Sequence, residues 1–154
     1  MTQAIDVFVS YSSKDEELKD ELLNHLALLK RKKIISAWHS REILPGADWL
    51  GVVDEHIESA QIILLLISAD FLASDYCYEV EMKRAMKLHD LKKAIVIPVI
   101  LKPTDWQDSP FGKLEPLPRF AEPVILWRHR DEAFSSIANS LGELVDNLIK
   151  NYQS

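Results

Sequence analysis

Short apolar segments alternate with longer amphipathic segments along this chain. The apolar segments predict five β-strands, at residues 5–9, 34–38, 61–68, 94–101 and 124–127. Elsewhere, apolar residues recur at helical spacing, as in Leu18, Leu22, Leu26 and Leu29 and again over 134–148. Strands that alternate with helices predict a parallel sheet with helices on both faces. We therefore expect an α/β, flavodoxin-like three-layer sandwich with a five-stranded sheet in the order 2-1-3-4-5.

Local signals refine this outline. Ser13 followed by Glu16 predicts a capping box at the start of the first helix, and Ser74 is the expected cap of the helix after the third strand. The third strand, 61–68, is almost wholly apolar and should be central in the sheet. Pro98 has no backbone N–H, so we expect a bulge or an early end in the fourth strand.

The predicted topology places a crevice at one rim of the sheet. Ligands of open parallel sheets bind beyond the carboxyl ends of the strands, where the winding direction reverses. In the order 2-1-3-4-5 this point lies between the first and third strands, so residues 10–12 and 68–71 should border the crevice. The loop 39–46, which is polar and contains Pro45 and Gly46, leaves the second strand on the same side.

One acidic residue, Glu81, stands among the apolar residues of the predicted helix 75–88. At about 100° per residue it borders the buried face, whereas Glu79 lies about 160° away and four residues before Lys83, as in a solvated ion pair. A half-buried carboxylate costs free energy unless it is paired, and such groups concentrate at functional sites. An ion pair with Lys83 or Arg84 is the structural alternative. Because the helix follows the third strand, Glu81 falls at the rim of the crevice, which favours the functional interpretation.

Composition narrows the class of protein. The chain has 154 residues, of which 47% are hydrophobic, and this suits a single domain over 1–154 with its core at about 4–150. The net charge of −6 argues against general nucleic-acid binding. The longest apolar run, 62–67, is too short to cross a membrane, so we expect a cytoplasmic protein with no membrane partner. One cysteine cannot form an internal disulfide, and no Cys/His spacing predicts a metal site.

Several segments, in this order, resemble one known family. They are Phe8–Ser12, Trp38–Gly46, Ile67–Phe71, Ser74–Met82 and Phe111–Leu114. With these segments the chain resembles a Toll/interleukin-1 receptor (TIR) domain of the bacterial, NAD-cleaving type. The similarity extends over about residues 4–150, essentially the whole predicted domain.

The resemblance implies an NAD+ glycohydrolase that uses a glutamate in the helix after the third strand. The usual pattern is an aromatic residue with the glutamate four positions later. Here Tyr76 is followed at that spacing by Val80, between Glu79 and Glu81. The helical projection favours Glu81, and so do bacterial relatives that read Tyr-Cys-x-x-x-Glu-Met. Since nicotinamide leaves NAD+ as a neutral base, one carboxylate can suffice without a general acid. NAD+ would thus be a substrate, and no cofactor or metal is implied.

Further residues at the same rim are candidates for substrate binding. Tyr76 and Trp38 could stack on nicotinamide or adenine, although aromatic residues at such positions more often serve packing. Ser10 and Tyr11 could hydrogen-bond ribose or phosphate. Arg41 could contact the pyrophosphate or a neighbouring subunit. A neighbouring loop residue, His39, is a weaker candidate for acid–base work.

The resemblance also implies partners. Bacterial TIR domains resemble effector parts of antiviral proteins that act on self-association, here through the loop 39–46 and neighbouring helices, with a C-terminal sensor domain or a partner protein. A TIR domain that signals only by assembly is the first alternative. A phosphoacceptor receiver domain is the second, but Asp70 lacks the acidic partners that would hold magnesium. Whether the product is ADP-ribose or a cyclic or exchanged compound stays open.

Overall fold

The structure is a computed structural model that describes residues 4–39 and 55–153. Four strands form the sheet: β1 (Ile5–Ser10), β2 (Ile35–His39), β3 (Ile62–Ile67) and β4 (Ile95–Ile100). The α-helices are α1 (Glu16–His25), α2 (Ala27–Arg31), α3 (Ala69–Ala73), α4 (Lys83–Asp90) and α5 (Arg130–Gln153). Residues 55–59 are also helical, and a π-helix over Tyr76–Met82 runs directly into α4.

The strands are all parallel and follow the order β2-β1-β3-β4. Val7 of β1 pairs with Ala37 on one side and with Ile62 on the other. Every residue of β3 is buried, as expected for a central strand. The predicted α/β class with a parallel sheet is therefore confirmed, including the reversal of winding between β1 and β3.

The prediction of a fifth strand at 124–127 is wrong. Val124–Leu126 instead form a 3-10 turn after Pro123. The Ile125 N–H donates to the Leu101 carbonyl oxygen at 3.1 Å, but the Leu126 N–H bonds locally to the Pro123 carbonyl oxygen at 2.9 Å. The Leu126 N–H is therefore used within the turn and is not available to pair with a neighbouring strand, as a fifth strand would require.

The prediction of a bulge or an early strand end at Pro98 is also wrong, because β4 continues past Pro98 to Ile100. The N–H groups of Ile95 and Leu101 donate toward β3, whereas the Ile100 N–H donates outward to the Leu117 carbonyl oxygen at 2.8 Å. The nitrogen of Pro98, two residues before Ile100, therefore faces the outer edge. There its missing hydrogen removes no bond to β3.

Each face of the sheet is covered by its own apolar layer. Helices α1 and α5 cover the face that carries Leu64 and Leu66, with Phe134 and Leu141 among the buried residues. The π-helix and α4 cover the other face, where Met82 belongs to the buried cluster. Two such layers around one sheet make the three-layer sandwich.

The helix after β3 differs in type from the expected α-helix. Ser74 does cap it, since its Oγ accepts a hydrogen bond from the Cys77 N–H at 3.2 Å. From Tyr76 to Met82, however, the turns are π-helical, a form that is rare and often found at functional sites. The capping box expected at Ser13 and Glu16 is wrong: Ser12 caps a 3-10 turn over Ser13–Asp15, and Asp15, which precedes α1, makes no side-chain capping bond.

Candidate functional site

The carboxyl ends of β1 and β3 bring a buried acid and a hydroxyl together. Ser10 ends β1, and its Oγ donates to Oε1 of Glu81 at 2.6 Å. Glu81 lies in the π-helix that follows β3 and α3, and only 2% of its surface is exposed. The sequence predicted a half-buried carboxylate at this rim, and the structure buries it more deeply than expected.

Burial sets the protonation of Glu81. Loss of solvent raises the pKa of this carboxyl from its ordinary 4.5 to about 7, and the hydrogen bonds from Ser10 and Tyr76 offset part of that rise. The second oxygen, Oε2, accepts no hydrogen bond of ordinary geometry within the described residues, and the Tyr76 hydroxyl acts on the same carboxyl. A carboxyl that changes charge near neutral pH is suited to chemistry.

Glu79 lies outside this arrangement. It is exposed and forms an ion pair with Lys83, four residues later. This is the solvated pair that the sequence predicted. Of the two glutamates that flank Val80, only Glu81 reaches the strand ends.

A second buried acid, Asp15, lies beside the same strand ends. It is 1% exposed, accepts a short hydrogen bond from Ser68 Oγ, and its Oδ1 lies 2.7 Å from Lys102 Nζ. Ser68 also caps α3, because its Oγ accepts from the Phe71 N–H at 3.1 Å. Sequence reasoning gave no site role to Asp15 or Lys102, although Asp15 stands just behind the first of the segments that carry the family resemblance. Each of the two residues follows the carboxyl end of a strand.

Tyr11 packs at the end of β1. Its ring lies beneath Lys19 Nζ at 4.9 Å, and its hydroxyl is 3.5 Å from His39 Nδ1. Its backbone carbonyl oxygen accepts a hydrogen bond from Cys77 Sγ at 3.4 Å, which ties β1 to the π-helix. Burial raises the pKa of the Cys77 thiol to about 11, so the thiol stays protonated.

Trp38 occupies an aromatic stack at the end of β2. Its ring lies 5.4 Å from that of Phe8 and 3.9 Å from that of His56, the latter nearly parallel at 5°. These neighbours cover ring surface that a base would need for stacking. Arg41 and the rest of the loop after His39 lie outside the described residues.

Other kinds of site find less support in the described residues. No group of three or more His, Cys, Asp or Glu side chains among them is placed to hold a metal ion. Within the same residues, no helix is long and apolar enough to cross a membrane. A cavity of about 640 Å³ lies along α5, between His25 and Glu143, and not beside Glu81.

The fold and this site define a class: a doubly wound parallel α/β domain with a buried acid at its switch point. A family model described as "TIR domain" matches residues 7–138. The chain therefore belongs to the TIR domain family, as its segments indicated.

Individual proteins resemble the chain to different degrees. It is 50% identical over 137 residues to the uncharacterized protein y4lF of Sinorhizobium fredii (strain NBRC 101917 / NGR234), which covers 89% of this chain but 42% of y4lF. This chain thus spans less than half the length of that relative. Among solved structures it is similar to the TIR domain of the Toll-related receptor TRR-2 from Hydra magnipapillata, with a TM-score of 0.50 and 21% identity over 64% of this chain and 72% of the other. TIR domains of the activated Roq1 resistosome have a TM-score of 0.49 and 21% identity, covering 66% of this chain and 60% of theirs.

Proposed function

We propose that this TIR domain is an NAD+ glycohydrolase that cleaves the bond between nicotinamide and ribose. The observation that carries the proposal is the Glu81 carboxyl, which is buried at the switch point of the sheet and held by Ser10 at 2.6 Å. Ligands of this fold bind at that point. No ion pair joins Glu81 to a cation in the part of the chain that the structure describes, and a buried acid in such surroundings costs stability, which is typical of a group kept for function.

The chemistry needs one negative charge near the ribose. The C1′–N bond breaks with its electron pair going to the nicotinamide nitrogen, which is cationic in NAD+ and leaves neutral. Positive charge develops on the ribosyl carbon and ring oxygen, and an oriented carboxylate in a dry site stabilises it. Water then forms the new C1′–O bond and releases a proton, giving ADP-ribose. Capture by the adenine ring would instead give a cyclic product.

Glu81 must be ionised for this role. The free carboxyl has a pKa of about 7, so about half of the molecules carry the charge at neutral pH. A bound cationic nicotinamide would favour the charged form. We therefore expect kcat/KM to rise with pH through about 7, since this parameter follows the free protein.

Substrate must also reach the carboxyl. In this structure Glu81 is almost fully covered, so catalysis needs a movement that uncovers Oε2. Ser10 would hold Oε1 and keep the carboxylate oriented during that movement. Tyr76 acts on the same carboxyl, and this supports it as our candidate for contact with the nicotinamide ring.

The test is product analysis after incubation of purified protein with NAD+. The native chain should release nicotinamide, with a rate that rises from pH 6 to pH 8. Glu81→Gln should lose at least about 100-fold in rate, because the developing charge is then unopposed. Glu79→Gln is the matched control and should retain activity within about twofold, since Glu79 only pairs with exposed Lys83. Equal activity of the native and Glu81→Gln proteins, or no turnover in concentrated and crowded samples, would contradict the proposal.

A second candidate function is assembly without turnover. The covered state of Glu81 favours it, because a carboxyl with 2% exposure contacts no substrate in this conformation. In that case Glu81→Gln would leave self-association intact, and no nicotinamide would appear even when the domain is clustered. The same NAD+ experiment therefore distinguishes the two functions.

We further propose that the domain is the effector part of a bacterial immune system in the cytoplasm. Support comes from its likeness to a bacterial protein of more than twice its matched length, which leaves room for a sensor. Self-association through residues 39–46 would then control activity. Fusion to a coiled-coil tetramer should raise NAD+ turnover per domain, whereas a rate per domain that is independent of clustering would refute this control.

A further inference from the structure

An exposed aromatic side chain projects from the connection between β4 and α5. Phe120 is 95% exposed, and its backbone has φ 62°, in the left-handed region that bulky residues rarely adopt. Ala121 follows with φ 57°. The chain thus holds a large apolar ring in solvent with a backbone that is itself unfavourable. Such strain persists where the surrounding structure imposes it, often at binding sites.

Phe120 is not the only exposed apolar residue in this connection. Ile125 and Leu126 are also exposed, so half of the large exposed apolar side chains in residues 4–39 and 55–153 lie within seven consecutive positions. Single exposed apolar residues are ordinary, but a concentration of them marks an interaction surface. We call residues 119–126 the projecting segment.

An apolar cavity lies next to the projecting segment. It has a volume of about 390 Å³ and lies between the outer edge of β4, residues 114–117 and α5. Its lining is mostly apolar, with Val96, Leu117 and Leu141 among its residues, and it includes Glu115 and His89. A cavity of about 150 Å³ already holds a benzene molecule, so this one has ample room for a phenyl ring.

We propose that Phe120 of one copy of this chain inserts into this cavity of a second copy, in a reciprocal dimer. Leu117 lines the cavity and precedes Phe120 by only three residues, and the proposal places the ring and the cavity on one surface. Phe120 does not fill the cavity of its own chain, since it is almost fully exposed. A two-fold axis through such a surface pairs each ring with the cavity of the partner.

Charge supports a second copy as the occupant. Exposed Arg119 directly precedes Phe120 in the chain and lines the cavity along α5, whereas exposed Glu115 is the acidic residue in the lining of the apolar cavity. His89 is the remaining titratable group there, and its Nδ1 faces the Val96 N–H at 3.4 Å. In the reciprocal dimer, Arg119 of each copy meets the Glu115 side of the other. Complementary charges at the rim of an interface fix its register.

The proposal does not depend on NAD+ cleavage, and it concerns a surface other than the loop 39–46. It is tested by sedimentation equilibrium without NAD+, up to a protein concentration on the order of 1 mM, which detects weak complexes. The native chain should show a monomer–dimer equilibrium. Phe120→Ala should raise the dissociation constant by roughly 100-fold, because each dimer loses two central aromatic contacts. Leu28→Ala, at an exposed residue of α2 outside the surface, should leave it unchanged.

A charge exchange makes the test specific. Glu115→Arg and Arg119→Glu should each weaken the dimer, whereas the double variant should recover most of the native affinity. A native chain that stays monomeric throughout, or a dimer that survives Phe120→Ala, would overturn the proposal. Loss of NAD+ turnover with the dimer intact would bear only on the catalytic proposal.

Discussion

Replacing Glu81 with glutamine should make the folded domain more stable at alkaline pH. Glutamine has nearly the same size and can still accept the Ser10 hydrogen bond at Oε1, which is 2.6 Å long in the native domain. It carries no charge, so it avoids the cost of an ionised group in a site closed to water. A substitution that removes the proposed catalytic group would thus strengthen the fold.

The magnitude follows from the pKa of Glu81. Below pH 4.5 the carboxyl is protonated in both the folded and unfolded chains, and it contributes no pH dependence. Between pH 4.5 and about 7 the unfolded chain ionises first, so native stability falls as pH rises. Above about pH 7 Glu81 is ionised in both the folded and unfolded chains, and the folded domain bears the full free-energy cost of the buried charge. A pKa raised from 4.5 to about 7 corresponds to about 3 kcal/mol.

Denaturant unfolding of the native and Glu81→Gln proteins at pH 5, 6, 7 and 8 measures this cost. The stability difference in favour of the variant should grow from a little under 1 kcal/mol, about 0.8, near pH 5 to about 3 kcal/mol at pH 8, or roughly 6–12 °C in Tm. Other titrating groups are common to both proteins and cancel in the difference. Glu79→Gln, the exposed control, should differ from native by less than about 0.5 kcal/mol at every pH. A difference that does not change with pH, or a variant less stable than native at pH 8, would refute the reasoning.

Two further predictions concern stability alone. Lys102→Met should destabilise the domain by about 2–3 kcal/mol, because it leaves buried Asp15 without the cation of Lys102. The control Lys113→Met, at an exposed side chain, should cost less than about 0.5 kcal/mol. Urea unfolding measures both losses, and equal losses would contradict the prediction. Gly112→Ala should destabilise the domain by more than about 2 kcal/mol, because the new Cβ would lie 2.0 Å from a backbone carbonyl oxygen. In Gly142→Ala, in α5, the new Cβ meets no atom closer than 3.8 Å, and the substitution should stabilise the domain by roughly 0.5–1 kcal/mol. Thermal unfolding should therefore show a lower Tm than native for Gly112→Ala and a higher Tm for Gly142→Ala.

The elements of the sheet could be predicted because their signals are local. The apolar segments that became β1 to β4 are dense and bounded by polar residues, and the described strands differ from the predicted ones by one residue or so at each end. The prediction of a strand from the fifth apolar segment was wrong, because the pattern of apolar residues does not reveal local hydrogen bonds. Pro123 offers its carbonyl oxygen to Leu126, and this bond closes a turn before a strand can pair.

The site was predicted less completely, and the errors follow from distance along the chain. Burial of Glu81 was anticipated, although less deep than observed, whereas the π-helical form of residues 76–82 was not. Asp15 looked like an ordinary acid at the start of a helix. Its partner Lys102 follows β4, 87 positions later, and only the folded sheet brings the two together.

The two buried acids at these strand ends differ in their partners, and this difference separates structure from function. Asp15 has both a hydroxyl donor and the ammonium group of Lys102, so its charge is compensated inside the fold. Glu81 interacts with the Ser10 and Tyr76 hydroxyls, no ion pair joins it to a cation within residues 4–39 and 55–153, and burial raises its pKa to about 7. Removing the partner of Asp15 should therefore destabilise the domain, whereas neutralising Glu81 should stabilise it. Opposite signs at two acids of similar burial would support Glu81 as the acid whose charge a bound ligand compensates, as cationic nicotinamide would.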